Sequence, residues 1–291
     1  MTTRAREIAE AISSATGAPP GPLRTAGHGD INATATCEAG GETWFVKWND
    51  HALPGQFEAE AQGLRTMRAS GTSLVVPEPI AWSDAGPGRS YLIMQHLAPG
   101  PRAADFDDAL GRGLAKMHAH SSPGGFGFAV DGACGATPQE NGWMPRWVDF
   151  YRERRLAPQL RLARERGLSD RDAAAGARLL DRLEGLLDDD EPPAMIHGDL
   201  WSGNLHVTRD GRPALIDPAA SYSHREAEFG MMLLFGGFSA RTIAAYEEST
   251  PLTNGWRERV DLYSLYHVLN HFNLFGGGYG AQAVAIIRRY M

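Results

Sequence analysis

Cysteine and lysine are both scarce in this sequence of 291 residues. Cys37 and Cys134 are the only cysteines, and they lie far apart without the short spacings typical of metal ligands. This pattern predicts neither a zinc site nor a disulfide framework, and it suits a reducing compartment such as the cytoplasm. Lysine occurs only at Lys47 and Lys116, whereas nearly every other basic position is arginine. A lysine that persists on a strand against this bias is a candidate functional group.

The sequence also lacks a long apolar run and an excess of positive charge. Its most apolar stretch, around Met231 to Phe238, is far shorter than a membrane-spanning helix and contains Gly236 and Gly237. The segment Met1–Glu10 has no apolar core and is not expected to be a signal peptide. A net charge of −7 disfavours binding to phosphate backbones. We therefore expect a cytoplasmic protein without nucleic-acid or membrane partners, and the oligomeric state stays open.

Hydrophobic periodicity divides the chain into a β-rich first third and a mainly helical remainder. Strand-like runs occupy 31–37, 43–48, 80–82 and 91–97, and helix-like runs occupy 4–15 and 56–69. Helical patterns then cover 104–118, 145–165, 169–187 and 224–291, with Ser169 as a candidate N-cap. We expect an α+β chain of two lobes that meet at a hinge near residues 95–99.

The strongest functional signal lies between residues 197 and 217. His197, Asp199 and Asn204 have the His-x-Asp-x₄-Asn spacing of a phosphotransferase catalytic loop, in which the aspartate accepts the proton of the attacking hydroxyl. Asp210-Gly211 predicts a two-residue hairpin turn, which would place Asn204 directly opposite Asp217 with Cβ atoms roughly 5 Å apart. An amide oxygen and a carboxylate so placed can share Mg²⁺. Asp199 is thus the predicted base, Asn204 and Asp217 are the predicted metal ligands, and His197 is predicted to support the loop.

A cation for the phosphates of ATP is predicted on the β-rich side. Lys47 lies on a predicted strand and Glu60 on the helix that follows, the arrangement of the lysine–glutamate pair in kinases. Glu58 is the alternative partner, and Glu60 is preferred because its helical turn also carries apolar residues. Together with the catalytic spacing, this pair predicts a protein-kinase-like fold in which residues 1–97 bind the nucleotide and 98–291 carry the catalytic and substrate-binding groups.

Two further segments are expected to contact ATP. Gly27 and Gly29 belong to a short loop, Gly27-His28-Gly29-Asp30, that is predicted to cover the phosphates, although two glycines are common in turns. The adenine is expected to meet backbone groups at the end of the last predicted strand, namely those of Gln95, His96 and Leu97.

Several runs resemble blocks of the fructosamine kinase (ketosamine 3-kinase) family, which is related to aminoglycoside phosphotransferases. The loop 197–204 carries Trp201 after Asp-Leu, and Asp217-Pro218-Ala219 follows the predicted hairpin. The other similar blocks are Phe126-Gly127-Phe128, Thr137-Pro138-Gln139 with Asn141 and Trp143, Tyr222 with His224-Arg225-Glu226-Ala227, and residues 269–278. The tryptophan, the Asp-Pro-Ala run and the Thr-Pro-Gln block are what select this family among small-molecule kinases.

The resemblance implies transfer of the γ-phosphate of ATP to the 3-hydroxyl of a ketosamine, either free or protein-bound, with Mg²⁺ as cofactor. Because the 3-phosphate is unstable and releases the amine, the implied role is deglycation. The resemblance assigns the same roles as the spacing to Asp199, Asn204, Asp217, Lys47 and Glu60. It also implies that Trp201 stacks on the sugar or its amine, and that His271 is a further substrate-side candidate.

The sequence departs from the family pattern at five positions, of which two concern the predicted phosphate and catalytic loops, and it leaves two alternatives open. Asp30 stands where many members carry a cysteine in the phosphate loop, and Glu228 stands where an aspartate usually braces the catalytic loop. A kinase for another acceptor, such as an aminoglycoside, a choline-like alcohol or a sugar, would keep the mechanism. A nucleotide-binding pseudokinase would lack one or more of four groups that are all present here, namely Lys47, Asp199, Asn204 and Asp217.

Overall fold

A five-stranded antiparallel sheet forms the first part of the chain. The computed structural model describes residues 3–28, 32–122, 124–187 and 190–291. The elements of this part are α1 (Thr3–Thr16), β1 (Arg24–His28), β2 (Ala33–Ala39), β3 (Glu42–Trp48), α2 (Gln56–Ala69), β4 (Pro79–Asp84) and β5 (Ser90–Gln95). The strands follow the order β1-β2-β3-β5-β4. This arrangement confirms the predicted β-rich lobe with one helix in the middle of its strands, although the helix follows the third strand and not the second, because β1 was not predicted.

Alternation along the strands gives the sheet two buried faces. In β5, Ile93 packs with Ile8 and Ile12 of α1, whereas Leu92 packs with Phe57 of α2. Successive side chains of a strand point to opposite faces, so this one segment serves two cores. Lys47 of β3 pairs with Leu92 and therefore lies on the α2 side of the sheet.

The remainder of the chain is mainly helical. Its helices are α3 (Phe106–His118), α4 (Trp147–Phe150), α5 (Ala157–Glu165), α6 (Asp170–Arg182), α7 (Glu226–Leu234), α8 (Ala240–Ser249), α9 (Trp256–Phe275) and α10 (Tyr279–Arg289). A π-helical turn, Tyr151–Leu156, joins α4 to α5, and 3₁₀ turns occupy Leu183–Gly185 and Ser202–Asn204. Short antiparallel pairs join β6 (Gly132–Cys134) to β7 (Thr137–Gln139), β8 (Ala194–Ile196) to β11 (Ser221–Ser223), and β9 (Leu205–Val207) to β10 (Pro213–Leu215).

The two parts share a core and a second backbone connection besides the hinge. Val75, which precedes β4, donates from its N–H to the Pro213 carbonyl at 3.0 Å and accepts from the Leu215 N–H at 2.9 Å. One buried cluster contains Leu64 and Leu92 from the first part together with residues of α3, β8, β10 and α7. Within the described residues, the expected hinge near 95–99 is therefore not the sole link between the two parts, and α2 packs against the second part.

Some predicted boundaries were wrong. The helix expected over 169–187 begins after its cap Ser169, whose Oγ accepts from the Asp172 N–H, but it ends at Arg182 and continues only as a 3₁₀ turn. Strand β1 was missed, so Gly27, predicted in a loop, lies in a strand. As an edge strand with few apolar residues, β1 shows no alternation that would reveal it.

Candidate active site

A cavity of about 510 Å³ separates the sheet from the helical part, a size typical of small-molecule sites. Eight of the residues predicted to act lie along its wall: Lys47, Glu60, Gln95, His96, Leu97, Asp199, Asn204 and Asp217. Trp201 also lines it, whereas His271 does not. The elements that bring these groups together are β3, α2, the end of β5, the loop after β8 and the chain after β10.

The loop after β8 is held by a buried carboxylate. Glu228 of α7 accepts the backbone N–H groups of His197 at 2.6 Å and Gly198 at 3.1 Å. Although burial opposes its ionisation, hydrogen bonds and the neighbouring His118 and His197 rings keep the pKa of Glu228 below its usual value. The His197 ring is fully buried, with Nε2 2.8 Å from the Ile216 carbonyl oxygen. His197 is packed and hydrogen-bonded within the loop, as predicted, and Glu228 braces the loop through two backbone N–H groups.

Asp199 presents its carboxylate to the cavity next to Asn204. The Asn204 Nδ2 donates to the Asp199 backbone carbonyl at 2.8 Å and to its Oδ2 at 3.2 Å. Burial raises the pKa of Asp199 to about 8; the Asn204 hydrogen bond opposes this shift, and the charges of Asp217 and Glu228 add to it. A carboxylate with raised basicity, oriented by one amide, can accept a proton from a hydroxyl group in the cavity.

The hairpin register predicted from Asp210-Gly211 was wrong by one residue. Strand β9 pairs with β10 through Leu205 and Leu215, and the Ile216 N–H donates to the Asn204 carbonyl at 3.1 Å. The turn has three residues, because Gly211 takes a positive φ of 82° and its N–H returns to the Thr208 carbonyl. A type I turn followed by a left-handed glycine is the usual three-residue hairpin. Asn204 is therefore opposite Ile216, and not Asp217.

Asp217 reaches the cavity through its own backbone conformation. Its φ of 56° makes it the one non-glycine residue with positive φ in the described part of the chain. Such a conformation is uncommon for a residue with a side chain and is often found at functional sites. It directs the Asp217 carboxylate toward Lys47, while its carbonyl oxygen lies 3.5 Å from the Asn204 Nδ2. The two predicted metal ligands are thus neighbours, although not by the cross-strand route.

Lys47 lies buried between two carboxylates. Its Nζ is 2.5 Å from Glu60 Oε2 and 2.9 Å from Asp217 Oδ1, with only 3% of the residue exposed. Although burial lowers it, the pKa of Lys47 rises to about 12 because both carboxylates favour the charged form. Glu58 is exposed and its N–H donates to Asp84. The predicted Lys47–Glu60 pair is therefore present, and its additional contact with Asp217 was not foreseen.

Oxygen donors for a divalent cation meet at this point. Glu60 Oε1 is buried and has no hydrogen-bond partner in the described residues, and the Asp217 carboxylate and the Asn204 side chain line the same cavity. Carboxylate and amide oxygens are the ligands that Mg²⁺ prefers. The donor set therefore fits the predicted magnesium ion.

The end of β5 offers a free backbone donor. The N–H of Gln95 donates to the Glu78 carbonyl at 2.9 Å, and that of His96 donates to the Thr43 carbonyl at 3.3 Å. The N–H of Leu97 has no acceptor within residues 3–28, 32–122, 124–187 and 190–291. Of the three residues predicted to meet adenine, only Leu97 keeps its N–H available for a ligand.

The predicted phosphate-covering loop is only partly described. Gly27 pairs with Thr34 across a bulge in β1, and its neighbour Ala26 lines the cavity. Gly29 and Asp30 lie outside the described residues. The covering role of this loop stays a prediction.

Trp201 and His271 lie at different depths relative to the cavity. Trp201 lines the cavity with 36% of its surface exposed, and its indole lies over Gly203, where an added Cβ would be 2.3 Å from the ring. Its ring centroid is 6.5 Å from that of Phe235, which is in turn 4.9 Å from His271. The His271 Nδ1 is 2.8 Å from the His267 carbonyl oxygen. The structure thus brings Trp201 to the cavity and leaves His271 one aromatic ring away.

Gln139 and Asn141 line the cavity, although the sequence assigned them no role. Gln139 Oε1 accepts from the Tyr266 hydroxyl at 2.8 Å, and its Nε2 donates to the Ala219 carbonyl at 3.1 Å. The Asn141 Oδ1 accepts from Arg155 at 2.7 Å. Since these partners hold the two amides in place, the pair shapes the wall. The only signal in the sequence was their position in a run similar to the family.

Comparison with known proteins finds matches that extend over nearly the whole chain. A family model described as fructosamine kinase matches residues 4–291. A probable ketoamine kinase from Synechocystis is 40% identical over 285 residues, covering 97% of this chain and 95% of the relative. A chloroplastic protein-ribulosamine 3-kinase from Oryza sativa subsp. indica is 41% identical over 267 residues, covering 91% and 77%.

Solved structures agree with this match. A protein from Thermobifida fusca assigned as a fructosamine-3-kinase superposes with a TM-score of 0.87 at 35% identity, covering 97% of this chain and 98% of that one. An aminoglycoside phosphotransferase in complex with AMP-PNP and hygromycin B gives 0.65 at 17% identity, covering 97% and 98%, which establishes the shared kinase-like fold alone. No helix among the described residues is both long and apolar enough to cross a membrane.

Proposed function

Because the chain belongs to the fructosamine kinase family, we propose that it transfers the γ-phosphate of ATP to the 3-hydroxyl of a ketosamine. The observation that carries this proposal is the convergence of Asp199, Asn204, Asp217 and the Lys47–Glu60 pair on one cavity. A base, oxygen ligands for a cation and a fixed ammonium group are the parts that phosphoryl transfer needs. The relatives named ketoamine and ribulosamine kinases support a ketosamine as acceptor.

The proposed reaction forms one bond and breaks one. The acceptor oxygen bonds to the γ-phosphorus, the bond to the β–γ bridging oxygen breaks, and the hydroxyl proton passes to the Asp199 carboxylate. Asn204 keeps that carboxylate oriented through its 3.2 Å hydrogen bond. Asn204 and Asp217 would hold Mg²⁺, which neutralises charge that develops on the phosphates. Lys47, fixed by Glu60, binds the α- and β-phosphates.

The two ends of the cavity have different proposed occupants. Adenine lies against the end of β5 and accepts a hydrogen bond from the Leu97 N–H, while Gln95 and His96 contribute backbone contacts. The acceptor lies against Trp201, whose exposed indole offers a face for the sugar or its amine. Residues 1–97 then form the nucleotide-binding part and 98–291 the catalytic and substrate-binding part.

The product determines the biological role. A ketosamine 3-phosphate decomposes and releases the amine, so the activity would remove sugars from free or protein-bound amines. The two cysteines are unpaired and buried, which supports a reducing compartment such as the cytoplasm.

A panel of acceptors tests the proposal. Purified protein with Mg²⁺ and ATP is assayed for ADP release against fructosamines, ribulosamines and aminoglycosides. We expect turnover with at least one ketosamine and none with aminoglycosides. Turnover with aminoglycosides alone would favour the other small-molecule kinases, and ATP binding without any turnover would favour the pseudokinase.

Trp201→Ala is expected to raise KM for the ketosamine roughly 3–10-fold while KM for ATP stays near the wild-type value. The reason is that an aromatic contact contributes about 0.5–1.5 kcal/mol beyond the area it buries. Trp201→Phe keeps an aromatic face and should recover most of the loss. Steady-state kinetics with each substrate varied in turn measure this, and a change confined to KM for ATP would remove Trp201 from the acceptor side.

Gly63→Ala is expected to raise KM for ATP several-fold and to destabilise the fold by at most about 2 kcal/mol. Gly63 lies one turn after Glu60 on α2, and an added Cβ would be 2.9 Å from the Cβ of Ala220. Alanine gains about 1 kcal/mol of helix propensity, which offsets only part of an overpacking cost of about 1–3 kcal/mol. The displaced helix should move Glu60 away from Lys47.

The matched control is Gly185→Ala, where an added Cβ meets nothing within 4 Å. Kinetics and thermal unfolding are measured for both variants. Equal KM values for ATP in Gly63→Ala and wild type would show that the α2 position does not govern the Lys47–Glu60 pair.

A further inference from the structure

A second cluster of metal-binding side chains lies directly behind the predicted base. The Cys134 Sγ, a carboxylate oxygen of Asp199 and a ring nitrogen of His267 all lie within 4.8 Å of one another. Cys134 ends β6, His267 lies in the middle of α9, and Asp199 follows β8. Thiolate, imidazole and carboxylate are the three ligand types that zinc uses in proteins. The sequence predicted no zinc site from spacing, whereas the fold brings these distant residues together.

The other contacts of these side chains leave them able to bind a metal. His267 is 4% exposed, and its Nδ1 is buried without a hydrogen-bond partner in the described part of the chain. A buried polar atom without a partner is unfavourable, so an imidazole in this state gains from a ligand. Burial and the charge of Asp199 raise the pKa of the buried Cys134 thiol, and hydrogen bonds with Tyr266 and Asn270 oppose this shift. Hydrogen bonds of this kind stabilise metal-bound sulfur.

We propose that Cys134, Asp199 and His267 form an inhibitory zinc site. Zn²⁺ enters through the cavity that Asp199 lines, the Cys134 thiol releases its proton to solvent, and three protein ligands bind the ion. The fourth tetrahedral position faces the cavity and holds water. Because zinc ligands at about 2.0–2.3 Å from the ion lie roughly 3.3–3.8 Å from one another, only small side-chain rotations are needed.

The consequence for activity rests on the proposed function. Asp199 bound to Zn²⁺ cannot accept the proton of the acceptor hydroxyl, so phosphoryl transfer stops. The site differs chemically from the magnesium ligands Asn204 and Asp217, which offer only oxygen. Sulfur and imidazole ligands select zinc over magnesium. Millimolar Mg²⁺ should therefore not relieve the inhibition.

Cobalt binding tests the site without any measurement of activity. Wild-type protein titrated with Co²⁺ is expected to bind one equivalent with a thiolate-to-cobalt charge-transfer band in the near ultraviolet, which Zn²⁺ then removes. Cys134→Ser should abolish the band, and Asp199→Asn should weaken cobalt binding. Cys37→Ser is the matched control because Cys37 is the only other cysteine and is also buried. It should keep the full band.

Inhibition tests the consequence. Activity is measured at saturating Mg²⁺ and ATP with a phosphine reductant and free Zn²⁺ set by a metal buffer, each variant being compared with its own zinc-free rate. Cys134→Ser should raise the half-inhibitory Zn²⁺ concentration at least about tenfold, because losing even a group that only orients a metal ligand lowers metal affinity about 10–100-fold. Cys37→Ser should match wild type.

The outcomes separate the two proposals. Absence of the cobalt band in wild type, or a band retained in Cys134→Ser, would overturn the zinc site whatever the enzyme phosphorylates. A band that depends on Cys134 in a protein without ketosamine turnover would support the site and refute the proposed function. If Cys134→Ser does not fold, the wild-type band and its weakening in Asp199→Asn decide the matter.

Discussion

Asp199→Asn is expected to lower kcat about 10²–10⁴-fold, the range typical of losing a general base, while leaving the affinity for ATP nearly unchanged. The substituted amide keeps the shape of the carboxylate, and its oxygen can still accept the hydrogen bond from Asn204, which is 3.2 Å long in the wild-type protein. The amide cannot, however, take up the proton of the substrate hydroxyl. Single-turnover rates and nucleotide binding by calorimetry separate the chemical step from binding.

The matched control for this change is Asp181→Asn. Asp181 is an exposed residue of α6, so the same chemical substitution there should leave both kcat and nucleotide binding as in wild type. If Asp199→Asn retained wild-type turnover, the proton would have to pass to another group and the assigned base would be wrong.

Lys47→Arg is expected to reduce kcat/KM for ATP about 10²–10³-fold although the positive charge is kept, as for other preorganised donors that stabilise a transition state. The Lys47 ammonium fits between Glu60 at 2.5 Å and Asp217 at 2.9 Å in a space from which solvent is almost excluded. The planar guanidinium is larger and directs its donors elsewhere. Overpacking should also destabilise the fold by about 1–3 kcal/mol.

Lys116→Arg is the control that the chain itself supplies. Lys116 is the only other lysine and is exposed on α3, so the same change should be silent there. Denaturant unfolding and kinetics of both variants distinguish loss of function from loss of stability. Near-normal kcat/KM for ATP in Lys47→Arg would show that the ion triad with Glu60 and Asp217 does not position the phosphates.

The parts of the site that follow one local pattern could be predicted from the sequence. The Asp199–Asn204 spacing sets the geometry of a single loop. Side chains alternate between the two faces of β3, and the face that packs on the apolar side of α2 carries Lys47 toward Glu60. Both depend on residues close in the chain or on adjacent elements. For the same reason the helix over 56–69 was predicted with the bounds that the structure gives.

The parts that depend on backbone conformation or distant packing could not be predicted. Asp210-Gly211 fits both a two- and a three-residue turn, and the choice depends on whether Gly211 alone takes the left-handed conformation. Nothing in the sequence shows that Asp217 also takes a left-handed backbone conformation. The contact of Lys47 with Asp217 joins β3 to the chain after β10, and no local pattern links them.

The most direct test of the central claim identifies the atom that is phosphorylated. The protein is incubated with Mg²⁺, ATP and a fructosamine of a simple amine, and phosphorus–proton correlated NMR is recorded early, before the product decomposes. We predict a cross-peak from the new phosphorus signal to the proton on carbon 3 of the sugar, and none when Asp199→Asn replaces wild type. Phosphate on another carbon, or a product of equal yield with Asp199→Asn, would contradict the account.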